Sequence, residues 1–464
     1  MQNTKTLVAV TVVALALAAV SYPGWWHNPT GDHAATALAE NNHSPQTHRV
    51  DDPTPSTTSA QPPAASSRTT SSPTDATKAT GEPHNPAALV AAHTAAKVAL
   101  HQSTHPPIAV SALGIGPLLG PLAAFSSAAE IPLEHVPYPH DRRARIASLM
   151  MVGVRDYDDA LWALQQGAGG IFIGSWTDPQ LLTQQGRDLH ALKKQVGRSF
   201  QVSIDAEGGR VARQPDIFGQ LPSPRQMAAT MTPQQVEQVA FELGQKLHDR
   251  GVTVDFAPVV DIDGGPAGGA IGDRSFSDDP VIAGRYATAF SRGLQRAGVI
   301  PVVKHFPGHG RASGDSHTGQ VFTPPITDLK QHDLTAYNQP LAETQAQVMV
   351  GHVTATGLSD GNTPSTVNPA VYELLRRGDW QGGAPYHGVI FTDDLSGMKA
   401  ISDSFTLPQA VLGALRAGAD MPLWIATEGL NEAIDAVDRA VADGSYPERM
   451  LNQSASRVAA LPRW

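Results

Sequence analysis

Short apolar runs alternate with amphipathic stretches between residue 133 and the last residue, Trp464. Eight of these runs are rich in Val, Ile, Leu and Phe, and they span 150–154, 170–173, 201–204, 254–260, 300–303, 348–351, 388–391 and 421–425. A strand that is buried on both faces of a parallel sheet has this composition. The runs therefore predict eight buried strands.

The stretches between the runs carry helix start and stop signals. Thr232-Pro233-Gln234-Gln235 has the pattern of a capping box with proline at the first helical position, and the helix predicted to follow ends before Gly251. A second predicted helix begins at Asp279-Pro280 and ends before Gly298. Eight strands that alternate with helices predict an α/β fold, a (β/α)8 barrel of the TIM type. A doubly wound open sheet is the alternative, and the count of eight favours the barrel.

The N-terminal region has a different pattern. Residues 7–20 form an apolar run after Lys5, which is short for a bilayer-spanning helix and typical of a secretory signal peptide. Trp25 and Trp26 are also typical of a membrane interface, so a membrane tether through residues 7–26 is the alternative to cleavage. Both interpretations predict export, either into the medium or to the outer face of the cytoplasmic membrane.

Residues 27–132 are predicted to be a low-complexity, disordered linker. Pro, Ser, Thr, Ala and His dominate it as far as residue 106, and residues 51–85 contain almost no large apolar side chain. Such a segment buries too little surface to offset the entropy of ordering. The predicted organisation is therefore 1–26 as signal peptide or anchor, 27–132 as tether and 133–464 as the folded domain.

Composition and charge exclude several classes of protein. The chain has 33 Lys and Arg against 43 Asp and Glu, a formal net charge of −10. This balance gives no general electrostatic footprint for nucleic acid, and we expect no nucleic-acid partner. The chain has no cysteine, which excludes disulfide scaffolds, thiol nucleophiles and cysteine-held metal sites.

Polar residues recur just after the predicted strands. They occupy positions 205–210 and 213 after the third run, 261 and 272–276 after the fourth, 304–310 and 315–317 after the fifth, 352 after the sixth, and 392–396 after the seventh. In a barrel of this type the residues past the carboxyl ends of the strands line the active site. The recurrence predicts one polar site at this end of the barrel.

Three of these segments resemble the motifs of a known enzyme family. The segment 304–310, Lys-His-Phe-Pro-Gly-His-Gly, followed by Asp-Ser-His at 315–317, resembles the signature of bacterial β-N-acetylhexosaminidases of glycoside hydrolase family 3. The segment 388–393 resembles the nucleophile motif of that family. The segment 205–210 resembles a stretch that usually reads Asp-Gln-Glu-Gly-Gly-Arg, with Ala206 in place of Gln. The resemblance covers 133–464 and implies a glycosidase that removes terminal β-linked N-acetylglucosamine from muropeptides or other cell-wall oligosaccharides.

Retaining glycoside hydrolysis needs a carboxylate that attacks the anomeric carbon and a second group that protonates the leaving oxygen. Asp393 follows a buried strand at the predicted barrel mouth and is the predicted nucleophile; a carboxylate that caps the next helix is the alternative. Asp394 would point the other way along a strand, which predicts a structural role. The resemblance implies His317 as acid and base with Asp315 as its partner. This is chemically reasonable, because imidazole titrates near neutrality and a carboxylate orients it.

Sugar hydroxyls are bound best by charged, bidentate partners. Asp205 can accept hydrogen bonds from two adjacent hydroxyls. The resemblance implies that the remaining ligands of the terminal sugar are Arg213, Arg274, Lys304 and His305.

Two points about these ligands stay open at the level of sequence. Lys304 and Arg274 can instead form salt bridges with Asp205 or Asp261 and make no contact with substrate. Glu207 either contacts substrate or only braces its loop.

Other functions are also consistent with these residues. A metal-dependent barrel hydrolase would use His305, His309, Asp315 and His317, with His352 as a further ligand type. A family 3 phosphorylase would use phosphate in place of water, a β-glucosidase would differ in its sugar, and a cell-wall-binding protein would have a decayed site. We expect a monomeric hydrolase with no cofactor and no metal.

Overall fold

The computed structural model describes residues 138–359 and 361–462. The predicted signal peptide or anchor (1–26), the predicted tether (27–132) and the predicted start of the folded domain at 133 all lie outside the described residues and stay predictions. Among the helices of the described ranges, none combines the length and the apolar character that crossing a bilayer requires.

Eight parallel strands of the described chain close into a barrel. They are β1 (Met151–Val154), β2 (Gly170–Ile173), β3 (Gln201–Ile204), β4 (Val254–Asp255), β5 (Ile300–Phe306), β6 (Gln347–Val350), β7 (Ile390–Asp394) and β8 (Met421–Trp424). Each strand pairs with its neighbours in the sequence, and β8 pairs with β1 to complete the ring. Each predicted run contains one strand or overlaps with one, and the (β/α)8 barrel is confirmed.

Helices surround the barrel. In the described residues they are α1 (Arg142–Ala147), α2 (Tyr157–Gln165), α3 (Gln180–Thr183), α4 (Leu189–Val196), α5 (Pro215–Phe218), α6 (Pro224–Thr230), α7 (Pro233–Asp249), α8 (Pro280–Arg296), α9 (Ile326–Gln331), α10 (Asn338–Glu343), α11 (Pro369–Arg377), α12 (Lys399–Ser402), α13 (Leu407–Ala417), α14 (Leu430–Ala442) and α15 (Glu448–Ala459). The predicted capping box of α7 is confirmed, with Thr232 and Gln235 as its two members. The predicted start of α8 is confirmed as well, because the Asp279 side chain accepts from two amides of its first turn.

The fourth strand is shorter than predicted. The apolar run continues to residue 260, but only Val254–Asp255 pairs as a regular strand. Pro258 has no amide hydrogen to donate to a ladder, so regular pairing stops before it. The chain nevertheless stays beside β5, where the Val260 amide donates to the carbonyl of Lys304 at 2.9 Å.

Side chains alternate along the strands between two apolar clusters. The inner cluster, which fills the barrel, includes Met151, Phe172, Val254, Phe256, Val302, Met349, Phe391 and Leu423. Residues of the opposite parity pack beneath the helices. Asp393 comes two residues after Phe391, and Lys304 comes two residues after Val302, so both continue the inward-facing series at the barrel mouth.

Candidate active site

A cavity of about 280 Å³ opens at the carboxyl ends of the strands. Its lining includes seven of the eight predicted site residues: Asp205, Arg213, Arg274, Lys304, His305, His317 and Asp393. The eighth, Asp315, contacts the His317 ring at 2.7 Å. The structure therefore brings the predicted residues together at the predicted end of the barrel.

Asp393 lies deep in this cavity, and its side chain is 18% exposed. One carboxylate oxygen accepts from the amide of Asp394 at 2.9 Å, and the other lies 4.0 Å from Nε2 of His305. Burial alone would raise the pKa of Asp393, but nearby His305, His352 and Lys304 outweigh burial and lower the pKa to about 2. At neutral pH this carboxylate is ionised, as its predicted role of nucleophile requires.

His305 is held in one orientation by Asp261. Its Nδ1 lies 2.6 Å from Oδ2 of Asp261, and its backbone amide donates to the same oxygen at 3.1 Å. Burial would raise the pKa of Asp261, but His305 outweighs burial and the pKa is lowered. Because an ionised carboxylate only accepts, Nδ1 of His305 carries the hydrogen. Nε2 then faces the cavity, 3.4 Å from a guanidinium nitrogen of Arg274.

Glu207 binds two of the cationic side chains that line the cavity, Arg274 and Lys304. It is fully buried and binds Arg274 through two parallel hydrogen bonds of 2.8 Å each. Nζ of Lys304 lies 2.6 Å from one of its oxygens. Burial would raise the pKa of Glu207, but the charges of Arg274 and Lys304 hold it well below its usual range. Sequence left the role of Glu207 open, because its partners are 67 and 97 residues away along the chain.

Asp205 shares Lys304 with Glu207, and its side chain is partly exposed to the cavity. One of its oxygens accepts from Nζ of Lys304 at 2.7 Å, and the other lies 3.5 Å from Arg213. Of the alternative salt bridges, the one between Lys304 and Asp205 is present, whereas Arg274 pairs with Glu207 instead of Asp205 or Asp261. Pairing does not remove these residues from substrate, since Asp205, Lys304 and Arg274 all line the cavity.

His317 and Asp315 form a pair at the cavity rim. The side chain of His317 is 64% exposed, and Oδ1 of Asp315 contacts both its Nδ1 and its amide, at 2.7 and 2.9 Å. Partial burial would raise the pKa of Asp315, but the hydrogen bonds from His317 outweigh it and lower the pKa. Their loop is fixed by Ser316, which is buried. The hydroxyl of Ser316 lies 2.9 Å from Nε2 of His309, and its carbonyl oxygen accepts from the amide of Ala400.

The residues next to the predicted nucleophile have structural hydrogen bonds. The carboxylate of Asp394 accepts from the amide and hydroxyl of Ser396 and from the amide of Gly397, as expected for a residue that shapes the turn. His352 is fully buried, and its Nε2 lies 2.7 Å from the carbonyl oxygen of Asp394. Burial lowers the pKa of His352.

The ring nitrogens of the histidines proposed as metal ligands contact other groups. In the described part of the chain, no group of three or more His, Cys, Asp or Glu side chains has the arrangement of a metal site. His305 and His309 instead contact Asp261 and Ser316 through ring nitrogens. Within the described ranges, the geometry therefore offers no ligand cluster for the metal-dependent alternative.

Asp255, at the end of β4, was not predicted as a site residue. It is fully buried; one oxygen accepts from the amide of Ala206 at 2.9 Å, and the other has no hydrogen-bond partner. Burial raises the pKa of Asp255 to about 8. The residue is therefore a neutral acid at pH 7 that supports the segment between Asp205 and Glu207.

Replacing Asp255 with asparagine is expected to flatten the dependence of stability on pH. Its folded-state pKa of about 8 exceeds the unfolded value of about 4, so in this window the folded state binds one extra proton. The free energy of unfolding then falls as the pH rises, and from about pH 5 to about pH 7.5 the wild type should lose roughly 3 kcal/mol more than Asp255→Asn.

Urea unfolding at the two pH values measures this difference. Asp249→Asn is the matched control, because its side chain is 79% exposed and the pH dependence should stay that of the wild type. Parallel curves for the wild type and Asp255→Asn would show that Asp255 is not protonated in the folded state.

Comparison with known proteins agrees with this fold. Residues 142–461 match the model of the glycosyl hydrolase family 3 N-terminal domain. The chain is 44% identical over 321 residues to the β-hexosaminidase LpqI of Mycobacterium tuberculosis. The aligned region covers 69% of this chain and 82% of that protein.

Two solved structures are similar in fold. A family 3 glycosyl hydrolase from Mycobacterium smegmatis matches at 44% identity and a TM-score of 0.68, over 71% of this chain and 98% of its own. A family 3 β-N-acetylglucosaminidase from a Paenibacillus species matches at 29% identity and a TM-score of 0.63, over 69% of this chain and 61% of its own.

The chain therefore belongs to glycosyl hydrolase family 3, as its motifs predicted. It is a glycosidase, and the names of its relatives support the hexosaminidase class.

Proposed function

We propose that the protein is a retaining β-N-acetylhexosaminidase that removes terminal β-linked N-acetylglucosamine from muropeptides or related cell-wall oligosaccharides. The observation that carries this proposal is that Asp393 and His317 line one cavity, one buried and the other at the rim. Charged groups suited to sugar hydroxyls lie in the same cavity. The β-hexosaminidase and β-N-acetylglucosaminidase names of the relatives support the choice of sugar.

In the first step the Asp393 carboxylate attacks the anomeric carbon while the glycosidic bond breaks. The imidazolium of His317 gives its proton to the leaving oxygen, and a glycosyl-aspartate ester forms with inverted configuration. In the second step neutral His317 takes a proton from water, the water oxygen attacks the same carbon, and the ester bond breaks. The second inversion restores the original configuration and leaves Asp393 ionised again.

The buried charges are arranged before substrate arrives. Lys304 is held by Asp205 and Glu207, and burial would lower its pKa, but these two carboxylates outweigh burial and raise it. Arg274 is held by Glu207 in the same way. We therefore expect Asp205, Lys304 and Arg274 to bind sugar hydroxyls with little rearrangement, which lowers the cost of ordering the site.

The N-terminal sequence bears on where the enzyme acts. An exported enzyme on a long polar tether would meet cell-wall material outside the cytoplasm. We propose this location from the pattern of residues 1–132 and, with it, cell-wall fragments as the oligosaccharide partner.

Replacing His317 with alanine tests the acid and base role. With an unactivated disaccharide the leaving oxygen needs a proton, so kcat/KM should fall by about 10²- to 10³-fold. With a nitrophenyl β-N-acetylglucosaminide the leaving group needs no proton, so kcat/KM, which reports the first step, should fall by less than about tenfold.

The matched control is His248→Ala, a half-exposed histidine at the end of α7 that does not line the cavity. It should leave both substrates unaffected. Equal losses of kcat/KM on the two substrates in His317→Ala would contradict the acid role. Product analysis with and without phosphate separates a hydrolase, which releases free sugar, from a phosphorylase, which releases the sugar 1-phosphate.

A further inference from the structure

An indole ring lies half-exposed at the rim of the cavity. Trp176, in the loop after β2, is 43% exposed and lines the cavity. The other exposed large hydrophobic side chains among the described residues do not line it; they are Trp162, Val281 and Phe322. An exposed indole on a cavity wall is a feature that barrel packing alone does not explain.

The indole ring also packs against Phe172 of β2. Its ring centroid lies 5.9 Å from that of Phe172, which stacks on Phe256 at the same distance. Phe256 in turn contacts Phe391 edge-on at 5.4 Å. Trp176 therefore forms the outer end of an aromatic column whose other members belong to the inner cluster of the barrel. Little conformational entropy is left for the indole to lose when a ligand covers it.

Gly174 makes room for this arrangement. A Cβ atom placed on Gly174 would lie 2.5 Å from the nearest ring carbons of Trp176. Any other residue at this position would push the indole aside, so the ring position depends on this glycine.

Depth in the cavity indicates which part of a substrate reaches Trp176. Asp393 and Lys304 are largely buried, whereas His317 and Trp176 are the exposed groups. The acid must reach the oxygen between the terminal sugar and its leaving group. The leaving group then lies at the level of the rim, in the exposed part of the cavity that Trp176 also lines. The C–H face of a pyranose ring is apolar and packs well on an aromatic face.

We propose that Trp176 is a stacking platform for the leaving-group side of the substrate, and that the ligand class it selects is a pyranose ring linked to the terminal sugar. The proposal deepens the proposed function and rests on it. It assigns Trp176 a part in choosing oligosaccharides over glycosides with small leaving groups.

The experiment compares two substrates that differ only in the leaving group. With N,N′-diacetylchitobiose, Trp176→Ala should raise KM about tenfold and leave kcat within about twofold, since only the ring contact is lost. With methyl β-N-acetylglucosaminide, kcat/KM should stay within about twofold, because a methyl group cannot stack. Trp176→Phe should retain most of the affinity for chitobiose.

Two further variants sharpen the result. Trp162→Ala removes an indole of similar exposure from α2, outside the cavity, and should leave both substrates unaffected. Gly174→Ala keeps the indole but displaces it, so it should reproduce the chitobiose effect of Trp176→Ala.

The outcomes separate the two proposals. If Trp176→Ala shows equal losses on both substrates, or an unchanged KM for chitobiose, the role of Trp176 is overturned. Hydrolysis of chitobiose by the wild type would still support the proposed function in that case. A wild-type enzyme that releases N-acetylglucosamine from neither substrate would contradict the proposed function and the platform with it.

Discussion

Replacing Asp393 with alanine is expected to lower kcat/KM for an aryl β-N-acetylglucosaminide by at least about 10⁴-fold. The reason is that in the proposed mechanism the Asp393 carboxylate forms the bond to the anomeric carbon. No other carboxylate among the described residues combines depth in the cavity, a position in the inward-facing series of a strand and a lowered pKa. Its pKa of about 2 also means that protonation of Asp393 should not limit activity above about pH 4. Steady-state kinetics on the purified variant measure the loss.

Asp394→Asn is the matched control for this prediction. The two carboxylates are adjacent, but that of Asp394 is engaged by Ser396 and Gly397, so its replacement should cost less than about tenfold in kcat/KM. Added azide should restore part of the turnover of Asp393→Ala by entering the space left by the carboxylate. Its product would be an α-glycosyl azide, because one displacement inverts the configuration. Unaltered turnover in Asp393→Ala, or an equal loss in Asp394→Asn, would refute the assignment.

Strand alternation explains why Asp393 could be predicted to face the cavity at the barrel mouth. The apolar runs showed where strands lie, and a period of two then assigned Asp393 and Asp394 to opposite directions. The same alternation places Lys304 inside the barrel. Local patterns of this kind are visible in sequence, because strand geometry relates residues that are close along the chain.

Long-range pairing could not be predicted in the same way. The sequence did not decide whether Glu207 contacts substrate or braces its loop, because nothing near it in sequence shows that Arg274 and Lys304 bind it. Asp255 was missed because it sits inside an apolar run, and only the barrel shows that one of its oxygens is buried without a partner. Trp176 lies in a loop, where no periodicity fixes the direction of a side chain. In each case the missing information is the packing of separate strands around one axis.

Replacing Glu207 with glutamine is expected to destabilise the protein by about 3 kcal/mol and to reduce kcat/KM by about 10²-fold. Removing its charge leaves the buried guanidinium of Arg274 without the carboxylate that binds it, and leaves Lys304 with Asp205 alone. An uncompensated buried charge is costly, and these two cations also line the cavity in which the sugar is proposed to bind. Urea unfolding gives the stability loss, and kinetics on the folded fraction give the activity loss.

Glu343→Gln is the matched control, because Glu343 pairs with Arg292 on the surface, with side chains 40% and 46% exposed. Screened pairs of this kind contribute little, so the control should change stability by less than about 1 kcal/mol. Similar stability losses in the two variants would show that Glu207 contributes no more than a surface pair. A stability loss without any change in kcat/KM would separate folding from function. In that case Glu207 would serve the barrel alone, and Arg274 and Lys304 would not depend on it for their positions in the cavity.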